Sequence, residues 1–270
     1  MLSIVIPCHN EVGNIAVVVN RFIELAQTHL KCNVEIILVN DASTDNTKKE
    51  IEKTIDDFAI KSKKNLKQTK ANTANSPAKL KHPTEYKIEF KMVDIDESKG
   101  YGNAILSGLK VARGDILAWT HADMQTDPSD LFVAYDLWSS LKTNQEQFLI
   151  KGVRKNRKLL DVLLTFGMSV AVLLMLRVYL TDINAQPKMF SRKFYNLYLQ
   201  NKGPLDFSLD LYSLYCAQKN KIKIHEFPVF FKDRLSGEAK GGGGSWKMRL
   251  KLIRRTLIYI WMTSINQHLS

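Results

Sequence analysis

Four short polar stretches of the sequence carry the side chains best suited to chemistry. They read PCHNE at 7–11, NDASTDNT at 40–47, ESKGYGNA at 97–104 and HADMQTDP at 121–128. Acidic side chains such as Glu11 and Asp41 can accept hydrogen bonds from ribose hydroxyls or base N–H groups. Aspartate and asparagine also favour turns, so residue type alone leaves a purely structural role open for Asp41.

Each polar stretch follows an apolar segment that is expected to be a β-strand. The predicted strands are Leu2–Ile6, Val34–Val39, Lys87–Val93 and Asp115–Thr120. Helical periodicity predicts helices between and after them, at Asn14–Leu30, after Ser43 or Thr44, at Tyr101–Arg113 and at Ser129–Leu141. Repeated β–α–β order predicts a parallel sheet with helices on both faces. Ligands of such sheets bind at the carboxyl ends of the strands, where these four stretches lie.

Length and composition exclude several classes of protein. The 270 residues are 45% hydrophobic and 24% charged, which is typical of one large globular domain, or of one domain with an appendage. Cys8, Cys32 and Cys216 form no CxxC pair, so a disulfide framework and a cysteine zinc site are excluded, and a reducing compartment is expected. The net charge of +12 indicates an anionic partner: nucleic acid, a membrane surface or a phosphorylated small molecule.

The positive charge lies in three clusters. Residues 61–91 hold nine lysines and two acids, residues 151–158 hold five bases and no acid, and residues 232–255 hold eight bases and two acids. The first cluster falls in a polar stretch at 59–86, which we interpret as a surface insertion or mobile loop. A contact with nucleic acid or lipid is the alternative, although no aromatic residues are interleaved for base stacking.

Two apolar segments raise the question of a membrane. Val162–Leu176 has 15 uncharged residues, short of the roughly 20 that a spanning helix needs, and is expected to be either a buried core helix or a helix against the bilayer interface. Trp246–Met262 has the pattern of a basic amphipathic helix, suited to an anionic membrane surface or to ordinary packing on the domain. The N-terminal MLSIVIPCHNE lacks a basic region and is expected to be a strand, not a signal peptide.

Taken in order, the four polar stretches resemble the family 2 glycosyltransferases of the GT-A fold over about residues 1–130. There is no GxGxxG and no GxxxxGK[ST], which disfavours a dinucleotide-binding protein and a P-loop NTPase. The resemblance implies an α/β fold: a GT-A, Rossmann-like, mostly parallel sheet flanked by helices, with a C-terminal amphipathic helix. It implies a catalytic domain at 1–240, including the 59–86 insertion, and a glycine-rich linker and basic helix at 241–270. The nucleotide-sugar donor would contact Pro7, His9, Glu11, Val39, Asp41, Lys99, Ala122 and Asp123.

The fourth stretch departs from the family at the metal site. The family usually carries Asp-x-Asp, whose carboxylates bind a divalent cation on the donor diphosphate, and this chain has His121-Ala122-Asp123. The resemblance implies Mg²⁺ or Mn²⁺ held by His121, Asp123 and Gln125. Mg²⁺ prefers oxygen ligands and Mn²⁺ tolerates nitrogen better, so an altered preference is expected. Alternatively, His121 only donates a hydrogen bond to the donor phosphate, and Lys99 is a solvated lysine at a helix start.

The second half suggests the branch of the family. KDRLSGEAK at 232–240 resembles the DR-x-x-GESK stretch of polyprenyl-phosphate glycosyltransferases of the dolichyl-phosphate mannosyltransferase type. By this resemblance Arg154 and Arg157 would bind the acceptor phosphate. Arg234 and Lys240 would bind phosphates of donor or acceptor, on a loop that Gly241–Gly244 makes flexible. That loop is either a lid or a plain linker. The family's Gly-Phe is replaced by Gln186-Pro187 in the stretch that begins at Asp182.

These resemblances predict an inverting glycosyltransferase that moves a hexose from GDP-mannose or a UDP-hexose to a polyprenyl phosphate. It would be peripherally associated with the cytoplasmic face of a membrane, with a membrane-protein partner left open. Asp123 and Asp182 are the expected catalytic residues, and Asp182 would act as a base if the acceptor were a hydroxyl, or else orient an arginine. The alternatives are a hydroxyl acceptor, a non-catalytic nucleotide-sugar or membrane-binding protein, and a nucleic-acid binder.

Overall fold

A single mixed sheet of seven strands organises the described chain. The computed structural model describes residues 1–73, 86–141, 146–232 and 246–268. The strands are β1 (Leu2–Cys8), β2 (Val34–Asp41), β3 (Ile88–Ile95), β4 (Ile116–Trp119), β5 (Leu149–Lys155), β6 (Lys188–Ser191) and β7 (Ile224–Phe230). Their order across the sheet is β3-β2-β1-β4-β6-β5-β7. Only β6 runs against its two neighbours, so the carboxyl ends of the other six described strands meet at one edge.

Helices cover both faces of this sheet. They are α1 (Val12–His29), α2 (Thr47–Thr73), α3 (Tyr101–Val111), α4 (Ser129–Ser140), α5 (Leu159–Leu176), α6 (Arg192–Phe194), α7 (Ser208–Lys219) and α8 (Trp246–His268), and α6 runs on into a π-helical turn at Tyr195–Leu199. Alternate residues of a strand point to opposite faces. Ile4 of β1 therefore packs with the α1 side and Val5 with the α3 side, in two separate cores. The predicted fold class, with its amphipathic C-terminal helix, is confirmed.

Helix α2 is longer than the sequence predicted. Residues 59–73 continue it to Thr73, so the prediction of a loop is wrong for this half of the 59–86 stretch. The segment from Thr47 to Thr73 contains no glycine or proline and is rich in lysine, which has a high helix propensity. Residues 74–85 lie outside the part of the chain that the structure describes.

Helix α5 is apolar and mostly exposed. Of its 18 residues only Ser169, Val172 and Leu176 are buried, so the interpretation of this segment as a buried core helix is wrong. Asp161 is its one charged residue, and the helix is longer than the 15 uncharged residues suggested. In the described chain it alone is long and apolar enough to cross a membrane, by length and composition only.

The last helix both packs on the domain and exposes apolar side chains. Ile260 of α8 is fully buried in the core on the α3 side, and α8 lies along α5. Leu257, Trp261 and Met262 are exposed. Packing on the domain and contact with a membrane surface, the two roles left open for this helix, are therefore compatible.

A buried carboxylate ties the strands together at the edge opposite the carboxyl ends. The side chain of Glu35 is 1% exposed and lies 2.7 Å from Lys91 Nζ. It also accepts hydrogen bonds from Ser3 Oγ at 2.7 Å and from Arg113 Nε at 2.8 Å. Burial alone would raise the pKa of Glu35, but the bonds from Lys91, Ser3 and Arg113 lower it to about 2. The network joins β1, β2 and β3 to the turn before β4.

We expect Glu35→Gln to lower the free energy of unfolding at pH 7 by about 1–3 kcal/mol, because it removes the charge that Lys91 and Arg113 pair with. The folded pKa lies below that of the unfolded chain, so the stabilisation is complete above about pH 4.5 and is lost as the pH falls toward about 2. Urea unfolding at pH 7, 5, 4 and 3 measures both effects. The variant should lose less stability than the parent between pH 5 and pH 3.

The matched control is Glu89→Gln, since the Glu89 side chain is 55% exposed and pairs with Arg113, which is itself half exposed. Its expected change is below about 1 kcal/mol. Equal effects of the two substitutions would contradict a stabilising role for the buried carboxylate.

Candidate active site

A cavity of about 460 Å³ opens where the parallel strands end. Its walls come from the loops after β1, β2, β3, β4, β5 and β7 and the loop before β6, together with α3, α5, α7 and α8. The structure thus brings to one place ten of the residues proposed from the sequence: Pro7, His9, Glu11, Asp41, His121, Ala122, Asp123, Gln125, Arg154 and Arg157.

The first two loops are joined directly. In the parallel register Cys8 lies beside Asn40, so the residues that follow β1 and β2 are neighbours. The Nδ1 atom of His9 donates to the backbone oxygen of Asp41 at 2.5 Å. The backbone N–H of Glu11 donates to Thr47 Oγ1 at 2.8 Å. This wall of the cavity is joined by hydrogen bonds between the two loops and carries groups that can hydrogen-bond a nucleoside.

Asp41 has one carboxylate oxygen paired and one unpaired. Ser98 Oγ donates to Oδ2 at 2.9 Å, whereas Oδ1 is buried with no hydrogen-bond partner among the described residues. Leaving a buried carboxylate oxygen without a donor is costly, so a hydroxyl or N–H group of a ligand would stabilise it. The geometry favours a binding role for Asp41 over a role in the turn alone.

Two residues that were predicted to contact the nucleotide sugar do not line the cavity. Val39 is fully buried in the core, where its side chain approaches Gly108 of α3. Lys99 is exposed, and the cavity is lined instead by its neighbours Ser98 and Gly100. Val39 therefore supports the pocket from beneath, and the side chain of Lys99 faces solvent.

The histidine and aspartate of the fourth loop are spaced to share a cation. His121 Nδ1 lies 3.9 Å from Asp123 Oδ2. Two ligand atoms of one divalent ion, each about 2.1 Å from it, can be up to about 4.2 Å apart. No group of three or more His, Cys, Asp or Glu side chains is placed to hold a metal ion in the described ranges. The pair would therefore need oxygen atoms of a bound diphosphate to complete the coordination.

Gln125 connects this loop to the segment that follows β7. Its backbone N–H donates to Asp123 Oδ1 at 3.1 Å. Its backbone oxygen accepts from the N–H of Lys232 at 2.8 Å. Lys232, the last described residue after β7, is thus hydrogen-bonded to a loop that lines the cavity. Arg234, Lys240 and Gly241–Gly244 lie outside the described residues, so their predicted roles stay predictions.

A buried chain of polar groups lies behind His121. Tyr101 places its hydroxyl 3.0 Å from His121 Nε2, and Gln186 Nε2 donates to that hydroxyl at 3.2 Å. Gln186 Nε2 also donates to Asp210 Oδ1 at 3.0 Å, and Asp210 forms a fully buried ion pair with Lys188. Burial, and then the charges of Asp210 and Asp123, raise the pKa of Tyr101 well above its ordinary value, so the hydroxyl keeps its proton.

Sequence reasoning did not assign roles to these residues. Tyr101 lies in the ESKGYGNA stretch and begins a predicted helix, but it has no assigned role, and Asp210 belongs to no quoted motif. Gln186 and Lys188 stood in the stretch that departs from the family pattern. A buried lysine needs a buried acid, but only the fold shows that β6 brings Lys188 to α7.

The arginines of β5 and its loop are fixed by Asp182. Arg154 donates from its backbone N–H to Asp182 Oδ2 at 2.7 Å and from Nε to Oδ1 at 3.0 Å. Arg157 Nη1 lies 3.4 Å from the same carboxylate, and its Nη2 donates to Thr165 Oγ1 of α5 at 2.5 Å. Burial alone would raise the pKa of Asp182, but the bonds and charge of Arg154 lower it below its usual value. A carboxylate held in this way is a weak base.

The cavity is apolar on its remaining side. Leu164 and Met168 of α5 and Ile253 of α8 line it there. The site therefore combines an acidic and hydrogen-bonding end, a pair of arginines and an apolar wall in one opening.

The chain matches a known protein family. Residues 3–72 and 70–161 match glycosyl transferase family 2. The chain belongs to this family. The predicted activity class, a glycosyltransferase, is therefore confirmed.

Relatives with assigned activities align with most of this transferase. A dolichyl-phosphate beta-glucosyltransferase of Trichomonas vaginalis is 23% identical over 96% of this chain and 75% of its own length. A dolichyl-phosphate beta-glucosyltransferase of Dictyostelium discoideum is 22% identical over 96% of this chain and 76% of its own. A UDP-N-acetylglucosamine–dolichyl-phosphate N-acetylglucosaminyltransferase of Methanococcus voltae is 27% identical over 85% of this chain and 84% of its own.

Solved structures share the fold. Glucosyl-3-phosphoglycerate synthase of Mycobacterium tuberculosis, crystallised with Mn²⁺, UDP and glucosyl-3-phosphoglycerate, superimposes with a TM-score of 0.63. It is 15% identical and covers 98% of this chain and 79% of its own. At this identity the likeness establishes the fold alone.

We expect Asp182→Asn to raise the KM for a polyprenyl phosphate test acceptor by about tenfold, because Arg154 and Arg157 lose the charge that orients them. The pH profile of kcat should not change. Steady-state kinetics between pH 6 and pH 9 measure both parameters. Asp57→Asn on the exposed face of α2 is the control. A fall in turnover by about two orders of magnitude, with the loss of one limb of the pH profile, would instead identify a general base.

Proposed function

We propose that this glycosyltransferase moves a sugar from a nucleotide sugar to the phosphate group of a polyprenyl phosphate. The observation that carries the proposal is the combination of three different surfaces in one cavity. Hydrogen-bonding groups of the β1 and β2 loops lie at one end, Arg154 and Arg157 line it farther along, and an apolar wall from α5 and α8 completes it. A lipid phosphate offers a dianionic head and an apolar tail, which match the arginine pair and the apolar wall.

The donor would occupy the end formed by His9, Glu11 and Asp41. These residues offer acceptors to the base and ribose, and the buried Oδ1 of Asp41 gains a partner. The aligned relatives are named for the transfer of glucose or N-acetylglucosamine. We therefore favour a UDP-sugar over GDP-mannose.

Transfer to a phosphate acceptor proceeds by one displacement. An ionised phosphate oxygen of the acceptor attacks the anomeric carbon, the bond from that carbon to the diphosphate oxygen breaks, and the nucleoside diphosphate leaves with the bonding electrons. Attack from the opposite side inverts the anomeric configuration. His121 and Asp123 would hold a divalent metal, with Gln125 beside them, and the metal supplies positive charge for the leaving diphosphate.

A hydroxyl acceptor fits these residues less well. It would need a base within hydrogen-bond reach, whereas a phosphate is already ionised at pH 7. Asp182 is held by two arginines and Asp210 by Lys188. We therefore assign Asp182 the orienting role and keep Asp123 as the catalytic carboxylate through its contact with the metal.

The outer surface beside the cavity is suited to a membrane interface. On α5 the side chains of Leu163, Phe166 and Leu174 are 57%, 66% and 74% exposed. On α8 the neighbouring Arg254 and Arg255 are exposed and basic, next to exposed Trp261. An exposed apolar patch with basic residues at its rim favours an anionic lipid surface.

We place α5 along the interface and not across the bilayer. Its inner face lines the cavity through Leu164 and Met168, and α8 packs against it. If α5 crossed the membrane, it would lose its contacts with the cavity and with α8. We assign the cytoplasmic face because three free cysteines suit a reducing compartment.

Purified protein with Mn²⁺, radiolabelled UDP-glucose, UDP-N-acetylglucosamine or GDP-mannose and a polyprenyl phosphate tests the reaction. We expect label in the organic phase with a UDP-sugar, released by mild acid as expected for a glycosyl phosphate. Arg154→Ala should reduce the transfer at least about tenfold, because a charged partner of the acceptor phosphate is lost. Label found only in water-soluble products with every donor would contradict the proposal.

Vesicle flotation tests the membrane surface. A Leu163→Glu, Phe166→Glu variant should bind phosphatidylglycerol-containing vesicles at least about tenfold more weakly, since two exposed apolar side chains of the patch are replaced by charge. Val133→Glu on α4, where the valine is 50% exposed, is the matched control and should bind like the parent. Equal binding of the patch variant and the control would exclude this face as the membrane contact.

A further inference from the structure

The imidazole of His121 is held on one side by a partly buried tyrosine. Its two nitrogens face different partners: Nε2 lies 3.0 Å from the Tyr101 hydroxyl, and Nδ1 lies 3.9 Å from Asp123 Oδ2 in the cavity. The ring of Tyr101 stacks on Phe207 with centroids 4.8 Å apart. Tyr101 is thus fixed by packing as well as by hydrogen bonds.

The contact with Tyr101 leaves one nitrogen of His121 to face the cavity. Gln186 Nε2 donates to the Tyr101 oxygen at 3.2 Å, and the same oxygen lies 3.0 Å from His121 Nε2. A neutral imidazole that binds a cation through Nδ1 carries its proton on Nε2, and the Tyr101 oxygen is placed to accept a hydrogen bond from that N–H group.

We propose that Tyr101 is a positioning residue that fixes His121 with Nδ1 as a metal ligand, so that the site with Asp123 selects Mn²⁺ over Mg²⁺. The inference rests on the proposed function in one respect: a bound nucleoside diphosphate completes the coordination of the metal. It does not depend on the identity of the acceptor.

The selectivity follows from the ligand type. Mg²⁺ demands oxygen ligands and gives up its water reluctantly, whereas Mn²⁺ accepts an imidazole nitrogen more readily. A histidine whose other nitrogen is held by a neighbour loses little orientational freedom on binding, and such partners typically change metal affinity by about 10–100-fold.

Electron spin-echo modulation of Mn²⁺ with the protein and UDP tests the ligand directly, without acceptor or turnover. We expect ¹⁴N modulation from a directly bound imidazole, replaced by the ¹⁵N pattern when the protein is grown with ¹⁵N-histidine. His121→Asp should abolish the modulation and still bind Mn²⁺ with UDP. His121 is only partly buried, so this substitution is compatible with folding. Retention of the modulation in His121→Asp, or its absence in the parent, would overturn the proposal.

Titration of free Mn²⁺ in the presence of UDP tests the role of Tyr101. Tyr101→Phe keeps the stacking on Phe207 and loses the hydroxyl, and should weaken Mn²⁺ binding at least about tenfold. The control is Tyr212→Phe, a half-buried tyrosine of α7 that does not line the cavity. Competition by Mg²⁺ should be stronger in His121→Asp than in the parent.

The results test the positioning role of Tyr101, the metal selectivity and the proposed acceptor separately. Equal Mn²⁺ affinity of Tyr101→Phe and Tyr212→Phe, with near-ultraviolet circular dichroism unchanged, would remove the positioning role. Equal Mg²⁺ competition in the parent and in His121→Asp would remove the selectivity. If the metal results hold but no sugar reaches polyprenyl phosphate, the proposed acceptor is wrong and the metal site stands. If UDP and Mn²⁺ do not bind at all, the proposed metal site is wrong.

Discussion

The parallel pairing of β1 with β2 and β4 is the constraint on which the site depends. All three strands are buried, and their register places the residues after Cys8, Asp41 and Trp119 at one edge of the sheet. A slip of one residue would turn core side chains toward the opposite face, so the register is strongly specified. The proposed donor residues His9 and Asp41 and the proposed metal pair His121 and Asp123 come together because these loops meet. The cavity therefore rests on buried strands whose register the core specifies.

Buried charge is the second organising feature, and three buried carboxylates of the described core are paired with basic side chains. Glu35 secures one edge of the sheet, Lys188 pairs with Asp210 beneath the cavity, and Asp182 holds Arg154 and Arg157. Each pair has a cost of desolvation that its hydrogen bonds must offset. In the last of them two arginines share one carboxylate, and the charge of Asp161 of α5 also acts on Arg157. The two guanidinium groups line the cavity and are suited to a phosphate.

Much of this architecture could be predicted from the sequence, because apolar runs followed by polar turns are a local pattern. The strands before Pro7 and His121, and the loops they position, follow from that pattern. What could not be predicted depends on contacts distant in the chain. The length of α2 depended on helix propensity in a stretch whose polarity suggested a loop. The exposure of α5 depended on what packs against it. Lys99 is a basic residue next to the cavity, as the resemblance implies, but the backbone around it directs its side chain to solvent.

The residues around Tyr101 show the same limit at the site itself. Tyr101, Gln186 and Asp210 come from α3, the loop before β6 and α7, which are far apart in sequence. No spacing rule brings them together, and the first signal of their importance is the histidine that replaces the usual acid. A departure from a family pattern at one position therefore indicated a local environment that only the fold could show.

In the proposed reaction the acceptor supplies its own nucleophile as an ionised phosphate, which Arg154 and Arg157 bind. Transfer under single-turnover conditions can be compared between a polyprenyl phosphate and the matched polyprenol, with the same UDP-sugar and vesicles. We expect rapid transfer to the phosphate, with inversion at the anomeric carbon, and no transfer to the alcohol. Equal or faster transfer to the alcohol would show that the phosphate is not the nucleophile.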